Sequence, residues 1–191
     1  MIVSVWVVEW YLDEDRRVLQ AGDTISSWLT FEDAERLQGR PNERLQTIRG
    51  VARALPRWPG AEDGRHPIAI DIDGGTLYWD APERVEGTIE VTGTISLNNT
   101  DAPDGFPTTH GVVRRVRMEW QGFEFAQGGS RLGAKPGTHP VYETVLASYL
   151  PTFDDSPTRS IAEFDDRRDV SSLRWTGCLI DLDLTTSPTT R

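Results

Sequence analysis

From Val85 to Leu97 the chain alternates without interruption. Val85, Ile89, Val91, Ile95 and Leu97 share one register, and Glu86, Thr88, Glu90, Thr92 and Ser96 share the other. A period of two puts successive side chains on opposite faces of an extended chain, so this segment is read as a long strand with one buried face. Gly87 and Gly93 stand in the apolar register. A glycine there packs nothing, and it marks a place where a strand bends or coils, as in a small barrel. Gly111 to Trp120 repeats the device, with Val112, Val116, Met118 and Trp120 set against Val113, Arg115, Arg117 and Glu119.

The rest of the chain is read around these two strands. Residues 2–11 alternate and are rich in β-branched and aromatic types, and Thr24 to Leu29 forms a second strand after the turn Ala21-Gly22-Asp23. Thr30 then caps a short helix carrying Phe31, Ala34 and Leu37 and stopping at Gly39 to Pro41. Asn42 caps a second helix, with Leu45, Ile48, Ala52 and Leu55 as its apolar stripe and Arg49, Arg53 and Arg57 spaced by four on another face. After a polar loop from Arg57 to Pro67, further strands are expected at Ile68–Ile72, Thr76–Trp79, Val141–Tyr149 and Leu173–Leu184. The expected fold is mainly β: a single coiled β-barrel or highly curved antiparallel sheet, SH3-like or OB-like, with a two-helix insertion at about 30–56. One domain over 1–184 and a frayed tail over 185–191 complete the organisation.

Composition narrows the function classes. Thirty acidic residues against twenty basic ones give a net charge of −10, the opposite of the balance a phosphate-backbone binder carries. Cys178 is the single cysteine, so neither an intramolecular disulfide nor a Cys-rich zinc site can form, and a reducing compartment is natural. The apolar start lacks a basic leader and contains Glu9, so it reads as a strand, and no run approaches the roughly 20 apolar residues that span a bilayer. A soluble, cytoplasmic protein is expected. Gly74-Gly75 and Gly128-Gly129 lack the Lys-Ser/Thr or helix start of a phosphate cradle and read as turns, and no cofactor is expected.

Candidate chemistry rests on few residues. Asp71 and Asp73, and likewise Asp181 and Asp183, are two apart and share a strand face, where with His110 they would offer ligands to a hard cation. Solvated strand faces explain the same pairs without a metal. His66 and His139 sit in or beside loops, and Cys178 lies in an apolar strand as a buried small hydrophobe would. Trp28, Trp79, Trp120 and Trp175 fall in strands and are assigned to the core. Trp58, between Arg57 and Pro59, is the exception. Beside Arg49, Arg53 and Arg57 it suits contact with a partner, or else staples the end of the second helix. Arg114, Arg115 and Arg117 on an aromatic-rich strand would serve single-stranded nucleic acid on an OB fold, which the net charge opposes.

Four segments together, the opening strand with Trp6 and Trp10, Ala21 to Trp28 (AGDTISSW), Gly105 to Arg115 (GFPTTHGVVRR) and Gly177 to Leu182 (GCLIDL), resemble an actinobacterial domain-of-unknown-function family, family 6578. The resemblance covers most of the chain in order. It implies a soluble protein of high-GC bacterial origin and carries no assigned activity. Members of that family have cysteines shortly after the first strand, where this chain has Leu12-Asp13-Glu14-Asp15. The reading that follows is a non-enzymatic binding or interaction module, inhibitor-like or immunity-like, whose acidic surface meets a basic or neutral protein partner. Its rivals are a metal-assisted enzyme using the Asp pairs with His110, and an OB-like single-strand binder.

Overall fold

The glycine-marked segment is strand β7 (Gly87–Leu97), which pairs with β1 (Ile2–Val8), β3 (Leu29–Asp33) and β4 (Gln46–Ala54) within one continuous sheet. The computed structural model describes residues 1–8, 12, 18–37, 44–97, 103–125, 132–134, 140–146 and 173–184. The expectations for Asn42, His139 and the tail 185–191 lie outside the described residues.

Five strands close into a barrel. β7 pairs antiparallel with β3 (Leu29–Asp33) through its second half and with β4 (Gln46–Ala54) through its first. β4 pairs antiparallel with β5 (His66–Ile72) and β5 with β6 (Gly75–Ala81), while β3 and β6 lie parallel and complete the ring. Gly93 is the switch point, in register with both Asp33 and Gln46. A Cβ there would stand 2.1 Å from the Glu32 carbonyl oxygen and 2.6 Å from the Phe31 ring, so only glycine fits where β7 passes from one partner to the other. Leu29, Phe31, Ile48, Ala52, Ile68, Ile70, Leu77, Trp79, Ile95 and Leu97 bury the period-two faces of these strands. Phe31 meets Trp79 edge to face at 5.6 Å.

Beyond Gly93, β1 (Ile2–Val8) runs parallel to β7 at Val5 and Trp6. β11 (Leu173–Asp183) pairs antiparallel with β1, and β8 (Thr109–Phe125) with β11. β2 (Thr24–Ser27), β9 (Leu132–Ala134) and β10 (Val141–Val145) all pair with β8. Trp28 therefore separates two strands that serve different neighbours, β2 on β8 and β3 on β7. Val3, Val5, Val7, Val116, Met118, Trp120, Trp175, Cys178, Ile180 and Leu182 join the same apolar core as the barrel residues. Among the described residues no helix is long and apolar enough to cross a membrane.

The two-helix insertion expected at 30–56 is not there. Leu29–Asp33 is β3, followed by a single 3-10 turn at Ala34–Leu37, and Gln46–Ala54 is β4. The physical reason is parity: residues four apart share a helix face, but four is also even, so Ile48 and Ala52 share a strand face equally well. Thr47, Ile48 and Val51 are β-branched and Gly50 weakens a helix, and the edges of β5 and β7 supply the pairing. Arg49 and Arg53 consequently point out from the barrel wall, and Arg57 belongs to the following loop.

Candidate functional site

Three of the four carboxylates proposed as metal ligands, Asp71, Asp181 and Asp183, have hydroxyl or guanidinium partners. Asp181 accepts hydrogen bonds from Ser4 Oγ (3.2 Å), Arg115 Nε (2.7 Å) and Arg117 Nη2 (2.6 Å). Asp183 accepts two from Arg114, at 3.1 and 2.7 Å. Asp71 accepts from Thr76 Oγ1 (2.9 Å) and lies 3.4 Å from Arg53, while Asp73 is exposed. The β5–β6 hairpin does approach the end of β11: a Cβ on Gly74 would stand 2.4 Å from the Leu184 carbonyl oxygen. Thr109 ties the hairpin to β8, its hydroxyl accepting from Thr76 N (3.0 Å) and donating to Thr76 O (2.9 Å). His110 and His66 are both exposed. Among the described residues no three His, Cys, Asp or Glu side chains gather where they would hold a metal ion.

The most buried charge was not singled out from sequence. Glu119, on β8, has no solvent exposure. Its Oε2 accepts from Arg44 Nε (2.7 Å) and Tyr142 OH (2.7 Å), and its Oε1 from Thr176 Oγ1 (2.6 Å) and from Arg44 Nη2. Four donors fill the four lone-pair directions of a carboxylate. The Arg44 guanidinium also stacks over Trp6, 4.0 Å from the ring centroid. Burial, reinforced by the negative charge of Glu119, pushes the Cys178 thiol up to about 12 and holds the Tyr142 phenol above its ordinary range. Cys178 is thus a core thiol and not a poised nucleophile. Arg44 lies in a polar segment and Tyr142 and Thr176 on remote strands, so no local spacing announces the cluster.

Trp58 is half-buried on the outer wall of β5 and β6. Its Nε1 donates to Tyr78 OH (2.9 Å), which donates to Asp80 Oδ1 (2.9 Å), and Tyr78 meets Trp58 and Phe106 edge to face at 6.2 and 5.7 Å. Trp28, Leu55 and Ala69 join this satellite cluster. Gly60 allows the indole to fold back, since a Cβ there would lie 2.2 Å from the ring. The indole is a staple, but on a barrel wall and not on a helix end.

A cleft of about 440 Å³ opens at the end of the barrel where β4 stops and β5 begins. Ala54, Leu55, Pro67 and Ile68 supply its apolar side, and Arg57, Arg65, His66 and Arg84 its polar side. Arg65 is fixed from behind: its Nε donates to the Asp80 carbonyl oxygen (2.7 Å), and its Nη2 pairs with Asp33, which also accepts Trp79 Nε1 at 3.2 Å. Arg57 pairs with Asp63 (2.6 Å) and Arg84 with Glu86 (2.8 Å), both in solvent. Of the partner-contact residues singled out from sequence, only Arg57 lines this cleft directly, joined there by the loop-side His66. Arg49 and Arg53 sit on the barrel wall, paired with Glu90 and Asp71. Comparison with family models, with curated proteins and with solved structures returns no match.

Proposed function

We propose that this chain is a non-catalytic binding module that engages its partner at the end of the barrel framed by residues 55–66 and 82–86. The observation that carries the reading is the cleft itself, which joins an apolar wall to exposed, orientable cations on loops held by a rigid ring of strands. The ring has four antiparallel neighbours and one parallel pair, a pattern that supports an OB-like barrel entered at a different strand. Read from β4, the run β4–β5–β6 is the meander, β7 returns to β4, and β3 closes parallel to β6 from an earlier position in the chain. The net charge of −10 favours a neutral or basic protein partner over a polyanion. A single buried cysteine and the motif resemblance to family 6578 support a reducing, bacterial setting.

The test is affinity capture by the full chain against an Arg57→Gln/Arg84→Gln double variant, followed by hydrogen exchange on the purified complex. A stoichiometric partner that protects 55–66 and 82–86 and is lost in the double variant is the expected result. A complex that leaves both segments unprotected, or no retained partner, overturns the reading.

One observation favours a second reading. Trp28 and Trp58, half-buried over the buried Tyr78 and Phe106, lie on the outer wall of β5 and β6, where aromatic side chains of OB-type barrels stack bases. Titration of a single-stranded oligonucleotide at low salt decides it: tryptophan quenching that weakens with salt supports this use, and a flat response removes it.

A further inference from the structure

We infer that the barrel-end cleft takes a small organic anion, one carboxylate or phosphate group carried on an apolar body; the inference rests on the binding-module reading of this cleft and adds a small-molecule ligand to its protein partner. Three guanidiniums and an imidazole line the cleft and no carboxylate does, although the chain as a whole has an acidic excess. Arg65 is held in place by Asp33 and the Asp80 carbonyl, so its orientation is settled before any ligand arrives. Arg57 and Arg84 have side chains 53% and 71% exposed, and their counter-ions Asp63 and Glu86 are exposed as well. Solvated pairs of this kind are weak, so an entering anion exchanges with Asp63 and Glu86 at little cost. Asp63 and Glu86 are the partners that an anionic ligand would replace on Arg57 and Arg84.

Ala54, Leu55, Pro67 and Ile68 require the ligand to carry apolar surface beside that group. The volume is within the range of small-molecule sites, roughly 300–1,000 Å³. The three guanidiniums stand in one cleft on a chain of net −10, so a second anionic group held outside that cleft would meet the repulsion without their local attraction. One anionic group is therefore favoured over a polyanionic strand.

The experiment is a set of NMR titrations of the full chain with hexanoate, hexyl phosphate, hexanol, hexylamine and inorganic phosphate, following the backbone amides of 54–68 and 82–86 and the Arg Nε–H signals. Hexanoate or hexyl phosphate is expected to shift Arg57, Arg65 and Arg84 saturably, and roughly tenfold more tightly than hexanol or inorganic phosphate. Hexylamine is expected to leave those signals unmoved. Arg84→Gln, at an exposed position, is expected to weaken the anion roughly tenfold, and Arg49→Gln on the barrel wall to leave it unchanged. Hexanol binding as tightly as hexanoate, or anion binding indifferent to Arg84→Gln, overturns the anion and leaves the binding module standing. No shift with any probe also overturns the ligand, and the partner footprint then decides the module separately.

Discussion

Arg44 and Glu119, 75 residues apart in sequence, meet as a two-pronged ion pair, the carboxylate at the edge of the guanidinium and the Trp6 ring over its face. The pair fastens the segment preceding β4 to the middle of β8, so it couples the barrel to the strands beyond it. Breaking one side of such a pair leaves the other buried and uncompensated. Glu119→Ala is expected to cost about 3–5 kcal/mol in chemical denaturation. The Arg44→Met/Glu119→Met double variant should cost less than the sum of the two single changes, because it leaves no lone charge behind. Additive losses would show that the pair is not coupled.

Alkaline pH should destabilise the protein through two acids that burial raises, Cys178 and Tyr142. Cys178 titrates near 9 when unfolded and about 12 in the fold, so the stability it lends is complete below pH 9 and is lost as pH rises towards 12. A buried group shifted this way lowers stability by up to about 1.4 kcal/mol per pH unit across that window. Tyr142, raised in the same direction, adds a smaller loss above about pH 10 because it is partly solvated. Denaturation curves from pH 8 to 11 should fall less steeply for Cys178→Ala, and less steeply above pH 10 for Tyr142→Phe. Slopes unchanged from the parent would contradict both assignments.

Thiol chemistry offers an independent check on the same burial. At pH 8 a thiol titrating near 12 is ionised to roughly one part in ten thousand, and Cys178 is also closed to reagent. Native protein is expected to resist iodoacetamide for hours and to be alkylated at once in denaturant, as read by mass spectrometry. Rapid labelling of the native chain would mean that β11 opens locally.

Two glycines should tolerate alanine very differently from their neighbours. Gly93→Ala would force a methyl against the Glu32 carbonyl and the Phe31 ring at the point where β7 passes from β4 to β3, and a loss of about 2 kcal/mol or more is expected. Gly60→Ala would push Trp58 off Tyr78, with a red-shifted fluorescence and a smaller stability change, since only the satellite cluster is affected. Equal thermal shifts for the two variants would remove the distinction between barrel closure and loop cover.

The sheet architecture was legible wherever a period of two ran past a glycine. Within Val85 to Leu97, residues 87–97 form β7, which passes from β4 to β3 at Gly93, and the alternation at the start of the chain became β1. β4 was not legible, because the spacing of Ile48 and Ala52 satisfies helix and strand alike and the deciding pairing comes from β5 and β7, far along the chain. Glu119 was readable only as one more outward polar residue of β8. Its four donors come from Arg44, Tyr142 and Thr176, none within a local window. The cleft has the same origin: Arg57, Arg65 and Arg84 acquire a common surface only because the ring brings the ends of β4, β5 and β6 together.

β11 is last in order among the described strands, yet it lies between β1 and β8. During synthesis the barrel strands leave the ribosome well before β11, and until it emerges β1 and β8 have no bridge to each other. The nascent chain therefore passes through a stage with a completed ring and two open, apolar strand edges, the kind of surface that recruits chaperones or a neighbouring chain. A chain that stops short of β11 would keep both edges open, because β11 is the strand that covers β1 and β8 at once.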